Sequence, residues 1–86
     1  MKYKIKKGII IEKTKNKINI FDPERSILYQ FNESASLIFK KLNSGWQEDK
    51  IIDWLTKKYR EEEKVIKKDC IQLIKKLKKN KILNES

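Results

Sequence analysis

Ile27-Leu28-Tyr29-Gln30-Phe31-Asn32-Glu33-Ser34-Ala35 joins two kinds of local order. Its first five residues favour extended backbone, with Ile27, Tyr29 and Phe31 on one face and Leu28 and Gln30 on the other. Asn32 then makes a good helix N-cap, because its side-chain oxygen can accept a hydrogen bond from a free amide of the first turn. Glu33 suits the positive end of the helix dipole. Upstream of this segment the chain reads as strands, and downstream as helices.

Working upstream, Lys17-Ile18-Asn19-Ile20-Phe21 alternates as a second strand, with Ile18 and Ile20 on one face. Asp22-Pro23-Glu24-Arg25 links it to the third strand, with proline at the second position of a β-turn. Gly8 precedes a β-branched run, Ile9-Ile10-Ile11-Glu12, which forms the first strand; Lys13 to Lys17 is the turn after it. Residues 1–7 alternate lysine with Tyr3 and Ile5 and read as an arm or an extra edge strand.

Downstream, Ala35, Ile38, Phe39 and Leu42 follow the i, i+3, i+4, i+7 spacing of one helical stripe. Asn43-Ser44-Gly45 ends that helix, with Gly45 in a left-handed turn. A second helix begins near Gln47 and carries Ile51, Ile52, Leu55 and Tyr59, with Trp54 at the stripe's edge. Trp46 is placed to staple its entry. A third helix carries Ile66, Cys70, Leu73, Ile74 and Leu77 on one face, flanked by Asp69 and Lys76 near Leu73. Ile82-Leu83 is expected to tuck against the sheet. The fold class is therefore α+β, a winged helix-turn-helix in which a three-stranded antiparallel sheet precedes three helices. Residues 1–86 read as a single domain, since 86 residues support one modest core.

Composition excludes several functions. The sequence has no histidine, a single cysteine, no glycine-rich phosphate loop and no carboxylates at ligand spacing on one face, so neither catalysis nor a metal or cofactor site is expected. Cys70 lies in an apolar stripe and reads as a packed thiol. Adjacent Glu61, Glu62 and Glu63 suit a solvated helix start. No apolar run approaches the ~18 residues of a membrane span, and the lysine-rich start lacks a signal peptide's apolar core. The expected location is the cytoplasm, with no membrane partner.

The formal net charge of +10 favours anionic partners. It comes from 20 lysines and only two arginines, Arg25 and Arg60. Base readout favours arginine's planar fork, so the charge supports loose anion attraction better than sequence-specific nucleic-acid binding. A winged-helix DNA-binding protein is the main alternative function.

If the strand Ile27–Phe31 is simply a paired strand, it carries no function. If it lies at a sheet edge beside the third helix, its unpaired N–H and C=O groups can accept an extended peptide. Four or five such hydrogen bonds contribute ~0.5–1.5 kcal/mol each. Association costs ~4–15 kcal/mol, and micromolar affinity needs about −8 kcal/mol overall. An apolar pocket must therefore help. Leu28 or Tyr29 opposite Leu73 could form it, and Lys75, Lys76, Lys78 and Lys79 would favour acidic peptide side chains.

An ordered series of residues also carries a family likeness. Tyr29 to Ala35 is similar to the pattern Y-x-L-N-x-T-A, and Leu42-Asn43-Ser44-Gly45 to L-x-x-G. Ile51, Leu55 and Tyr59 follow. Asp69-Cys70, Leu73-Ile74, Leu77 and Ile82-Leu83 then match D-V-x-x-F-L-x-x-L-x-x-x-G-L-L. From Gly8 to Leu83 the chain thus resembles the PqqD-like family, also called RiPP recognition elements. It departs from the pattern at Phe31, Ser34 and Cys70, which conserve size or polarity approximately. Lys81 replaces a glycine, and Asn80 could take the left-handed position instead.

The resemblance implies a non-catalytic chaperone for a ribosomally made precursor peptide, with no cofactor of its own. The precursor's leader segment would pair with the third strand, Ile27, Leu28, Tyr29, Gln30 and Phe31, and pack against the third helix at Asp69, Leu73 and Lys76. The opposite flank, Lys67, Ile71 and Lys78, stays open as the wall. The implied partners are the leader peptide and a separate modification enzyme, either a radical SAM enzyme or the leader peptidase and cyclase of lasso-peptide maturation. The Tyr29–Asn32 segment looks more like the lasso members. An exposed edge permits a monomer or a weak or swapped dimer.

Overall fold

The computed structural model describes residues 3–85. In chain order the elements are β1 (Tyr3–Ile5), β2 (Ile10–Thr14), β3 (Lys17–Asp22), β4 (Ile27–Gln30), α1 (Glu33–Asn43), α2 (Glu48–Tyr59), α3 (Glu63–Lys79) and β5 (Leu83–Glu85). The expected three strands and three helices are present as β2–β4 and α1–α3. The antiparallel sheet runs in the order β2-β3-β4, so β2 and β4 are its edges.

Ile82 and Leu83 are buried in the same core as the sheet residues, in keeping with the expected tuck. Beyond that expectation, Leu83 opens β5, which pairs antiparallel with β1 in a separate ribbon, Ile5 opposite Leu83 and Tyr3 opposite Glu85. The Lys6 amide extends the ladder by donating to the Ile82 carbonyl at 2.8 Å. Of the two readings for residues 1–7, the first two of which lie outside the described residues, the strand is realised over Tyr3–Ile5, but its partner comes from near the other end of the chain. The turn before β5 also differs from expectation. Asn80 has φ −91°, and it is Lys81, at the family's glycine position, that adopts φ +58°.

One core unites sheet and helices. Ile18, Ile20, Tyr29 and Phe31 meet Ile38, Phe39 and Leu42 of α1, Ile51, Ile52 and Leu55 of α2, and Ile66, Cys70, Ile74 and Leu77 of α3. The helical stripes fall where their spacing places them, except that Ala35, Tyr59 and Leu73 are only partly buried and Ser36 is buried. Asn32 caps α1, its side-chain oxygen accepting from the Ala35 amide at 2.8 Å. Gly45, at φ +89°, ends the helix: its amide donates to Leu42 and the next, from Trp46, reaches back to Lys41. Trp46 packs edge-on against Trp54 with centroids 5.8 Å apart, and the Lys41 amine lies 4.4 and 4.6 Å from the two ring centroids.

Two polar contacts fix the sheet. Where the β3–β4 ladder runs out, the Ile18 amide donates to the buried Ser36 hydroxyl of α1 at 2.8 Å. At the other end, buried Asp22 accepts from the Glu24 amide and pairs with Lys6 at 3.2 Å, so the β3–β4 turn is tied to the segment after β1.

Ser36→Ala strands the Ile18 amide, and we expect a loss of about 1–3 kcal/mol in chemical denaturation with the secondary structure retained. Burial pushes the Cys70 thiol up from 9.0 to about 12. The unfolded thiol therefore ionises first as pH rises. Its contribution to stability is intact below pH 9.0 and is lost progressively toward about 12. Below pH 9.0 a thiol reagent should leave the native protein untouched and label it stoichiometrically once denatured.

Candidate functional site

β4 is held from one side and one face. Its register with β3 pairs Asp22 with Ile27, Phe21 with Leu28, Ile20 with Tyr29 and Asn19 with Gln30. The Phe31 amide donates to the Ile18 carbonyl, which fixes the parity of the ladder. The backbone groups of Ile27, Tyr29 and Phe31 turn toward β3, and those of Leu28 and Gln30 turn away from it. Among the described residues β3 is the only element with Cα atoms within 8 Å of those of β4. The outward N–H and C=O groups of Leu28 and Gln30 thus form an open edge.

The side chains explain how β4 stays in place. Tyr29 and Phe31 point inward with ring centroids 6.4 Å apart, and Phe31 lies 5.6 Å from Phe39 of α1. The Tyr29 hydroxyl is buried without a hydrogen-bond partner; burial and the Asp22 carboxylate push its pKa up. Leu28 points to the other face and is 57% exposed. Of the two residues expected to oppose Leu73, only Tyr29 is therefore on the correct face, because alternation carries Leu28 away from α3.

Between the start of α1, just after β4, and α3 lies a cleft of about 290 Å³. Asp69, Leu73 and Lys76 form its α3 wall; Asn32, Ala35 and Ile38 contribute from the start of α1. No Cα of α3 comes within 8 Å of β4. Lys76 reaches toward β4, its Nζ 5.9 Å from the Tyr29 ring centroid. The alternative flank faces elsewhere. Lys67 borders the space beside Tyr3 and α2, and Lys78 pairs with Glu85 of β5 while lying over the Tyr3 ring. Three of the four lysines expected to favour acidic peptides thus do not line the cleft.

The cleft carries opposite charges on its α3 wall, Lys76 and Asp69. Lys76 marks the end next to Tyr29. At the other end Asp69 is shared with an adjoining cleft of about 340 Å³ lined by Glu33, Glu61, Tyr59 and Ile66. Leu73, Ala35 and Ile38 give the middle an apolar floor. Strand-to-helix spacing and this charge sequence are tertiary properties; a local sequence signal existed only for the i, i+4, i+7 row Asp69, Leu73, Lys76. Among the described residues no group of side chains could hold a metal ion.

A second cleft, of about 220 Å³, lies between the β2–β3 hairpin and α1 and collects Lys13, Lys15, Lys17, Lys40 and Lys58. Composition did not reveal this concentration, because its members come from the β2–β3 hairpin, α1 and α2.

Comparison with known proteins places these features. The fold is similar to "TbiB1 in Complex with the TbiA(beta) Leader Peptide", with a TM-score of 0.88 at 14% identity, covering 96% of each chain. It is similar to "Lasso peptide synthetase B1 complexed with the leader peptide", with a TM-score of 0.86 at 23% identity over 96% of this chain and 98% of that one. It also matches the solution structure of the PqqD truncation of Methylobacterium extorquens PqqCD, described as a stand-alone RiPP recognition element, with a TM-score of 0.77 at 16% identity over 98% and 89% of the two chains. No curated protein sequence matches. The family described as coenzyme PQQ synthesis protein D (PqqD) matches residues 18–83, from β3 through the helices to the start of β5, and the chain belongs to that family.

Proposed function

We propose that this protein is a non-catalytic recognition module that binds the leader segment of a ribosomally synthesised precursor peptide and presents the precursor to a separate maturation enzyme. The leader adds as a strand along β4 and packs against α3. The observation that carries this reading is the free edge of β4 together with the cleft between α1 and α3, whose wall residue Lys76 lies 5.9 Å from the Tyr29 ring. Two relatives of the same fold have leader peptides bound. The enzyme is either a leader peptidase and cyclase of the lasso-peptide type or a radical SAM enzyme, and the binding unit is the single domain 1–86.

Magnitudes divide the work. The outward groups of Leu28 and Gln30 offer up to four backbone hydrogen bonds, worth ~2–6 kcal/mol together at ~0.5–1.5 each. That falls short of the −8.2 kcal/mol of a micromolar complex before association costs are met. Filling the apolar middle of the cleft must supply the difference, so Leu73 is as necessary as the strand edge. Polarity adds selection: a peptide side chain near Lys76 is favoured when acidic and one near Asp69 when basic.

The lysine cleft beside the β2–β3 hairpin favours one second reading, DNA binding. It collects lysines rather than arginines, and it lies on the hairpin side of α1 rather than on α3. Such a site attracts phosphate without reading bases.

A synthetic leader peptide encoded by a short reading frame beside the gene should bind at low micromolar concentration or tighter. Methylating its backbone nitrogens one at a time should weaken binding at every second residue only, because alternate amides face β4. Leu73→Glu should weaken binding at least tenfold with helical circular dichroism unchanged; unimpaired binding would place the wall on the other flank of α3. Duplex DNA should bind weakly and lose affinity steeply with added salt. DNA binding that survives moderate salt, without any response to leader peptides, would reverse the assignment.

A further inference from the structure

The solvent face of the sheet carries an apolar file that stops at the open edge. Ile10 of β2 sits directly opposite Phe21 of β3, and Phe21 directly opposite Leu28 of β4. The outer two are each 57% exposed. The next file along the same face is polar, Glu12 opposite Asn19 opposite Gln30. In a chain with 40% charged residues, three aligned apolar side chains on the wet side of a sheet call for a partner.

We propose that the peptide strand pairing with β4 covers the open end of this file: it carries an apolar side chain opposite Leu28 and a polar one opposite Gln30, two residues away. The proposal rests on the strand-addition reading and specifies the peptide it accepts. Leu28 directs its own N–H and C=O off the edge, so in an antiparallel arrangement the residue opposite it forms the hydrogen-bonded kind of pair, and in a parallel one its two neighbours take those bonds. Paired residues project their side chains from the same face of a sheet, whichever way the new strand runs. The residue opposite Leu28 therefore has to lie beside an exposed leucine. The residue opposite Gln30 falls in the polar file, and the one between them points inward to the α3 side.

A second copy of this chain fits the face less well. It would bring another +10 charge toward the first. The file is also only three residues long, whereas stable interfaces bury ~800 Å² per partner. The added strand needs only the one cross-strand contact at the margin, and the pairing of β4 supplies its position.

A displayed library of random dodecapeptides can read this preference from the protein alone. Peptides selected on the wild type should be enriched severalfold in apolar residues at one position and in polar residues two positions away. On Leu28→Lys the apolar position should switch to Asp or Glu, with the rest of the motif unchanged. On Gln30→Lys the acidic preference should instead appear two positions away. Leu28 and Gln30 are both exposed, and circular dichroism checks that the variants stay folded. Selected peptides whose motif ignores both substitutions, yet are lost on Leu73→Glu, would overturn the outer-face preference and leave strand addition at the cleft intact. Failure of the wild type to select any common motif would sink both.

Discussion

Tyr29, Phe31 and Phe39 form an aromatic file that fastens β4 to α1 through the inner face of the strand. A central strand is held by hydrogen bonds on two sides. β4 has them on one side only, and an edge strand of four residues would otherwise fray. Burying two large rings replaces the missing ladder. The backbone groups of Leu28 and Gln30 can then stay free without loosening the strand. Everything assigned to the site depends on that division between an anchored face and an open edge.

The cleft between α1 and α3 follows from how the helices are stacked. α3 packs chiefly against α2 and, through its end, against β5, while α1 takes the position beneath β3. The start of α1 and the flank of α3 therefore enclose a cleft instead of closing on the strand. Its charges are arranged along its length, Lys76 by Tyr29 and Asp69 by the acidic groove beyond. A bound strand would feel a directional field as well as an apolar floor, and such a field selects orientation and partner more than it adds affinity.

The large net charge has several destinations. Lys6 is consumed by Asp22 and Glu24, Lys78 by Glu85, and Lys57 by Asp53. Lys41 and Lys50 lie against tryptophan rings. Five lysines gather beside the β2–β3 hairpin, where they raise the local anion concentration. Among the lysines of α3 only Lys76 borders the cleft with α1. The excess of lysine over arginine, visible at once in composition, thus describes a diffuse field more than a reading head.

Local order was legible in the residues themselves. The alternation of Ile27 to Phe31, the Asn32 cap, the three helical stripes and the Gly45 stop each depend on neighbours within a few positions, and each appears as its spacing demands. The ordered motif series carried the family likeness for the same reason. Pairing of β1 with β5, the tie between Ser36 and Ile18, and the lysine cleft were not legible, because their members lie far apart along the chain. Sequence alone also left open which flank of α3 stands beside β4, since both flanks share the same periodicity. Tertiary packing separates the two: Glu85 of β5 holds Lys78 of one flank, whereas Asp69, Leu73 and Lys76 line a cleft with the start of α1.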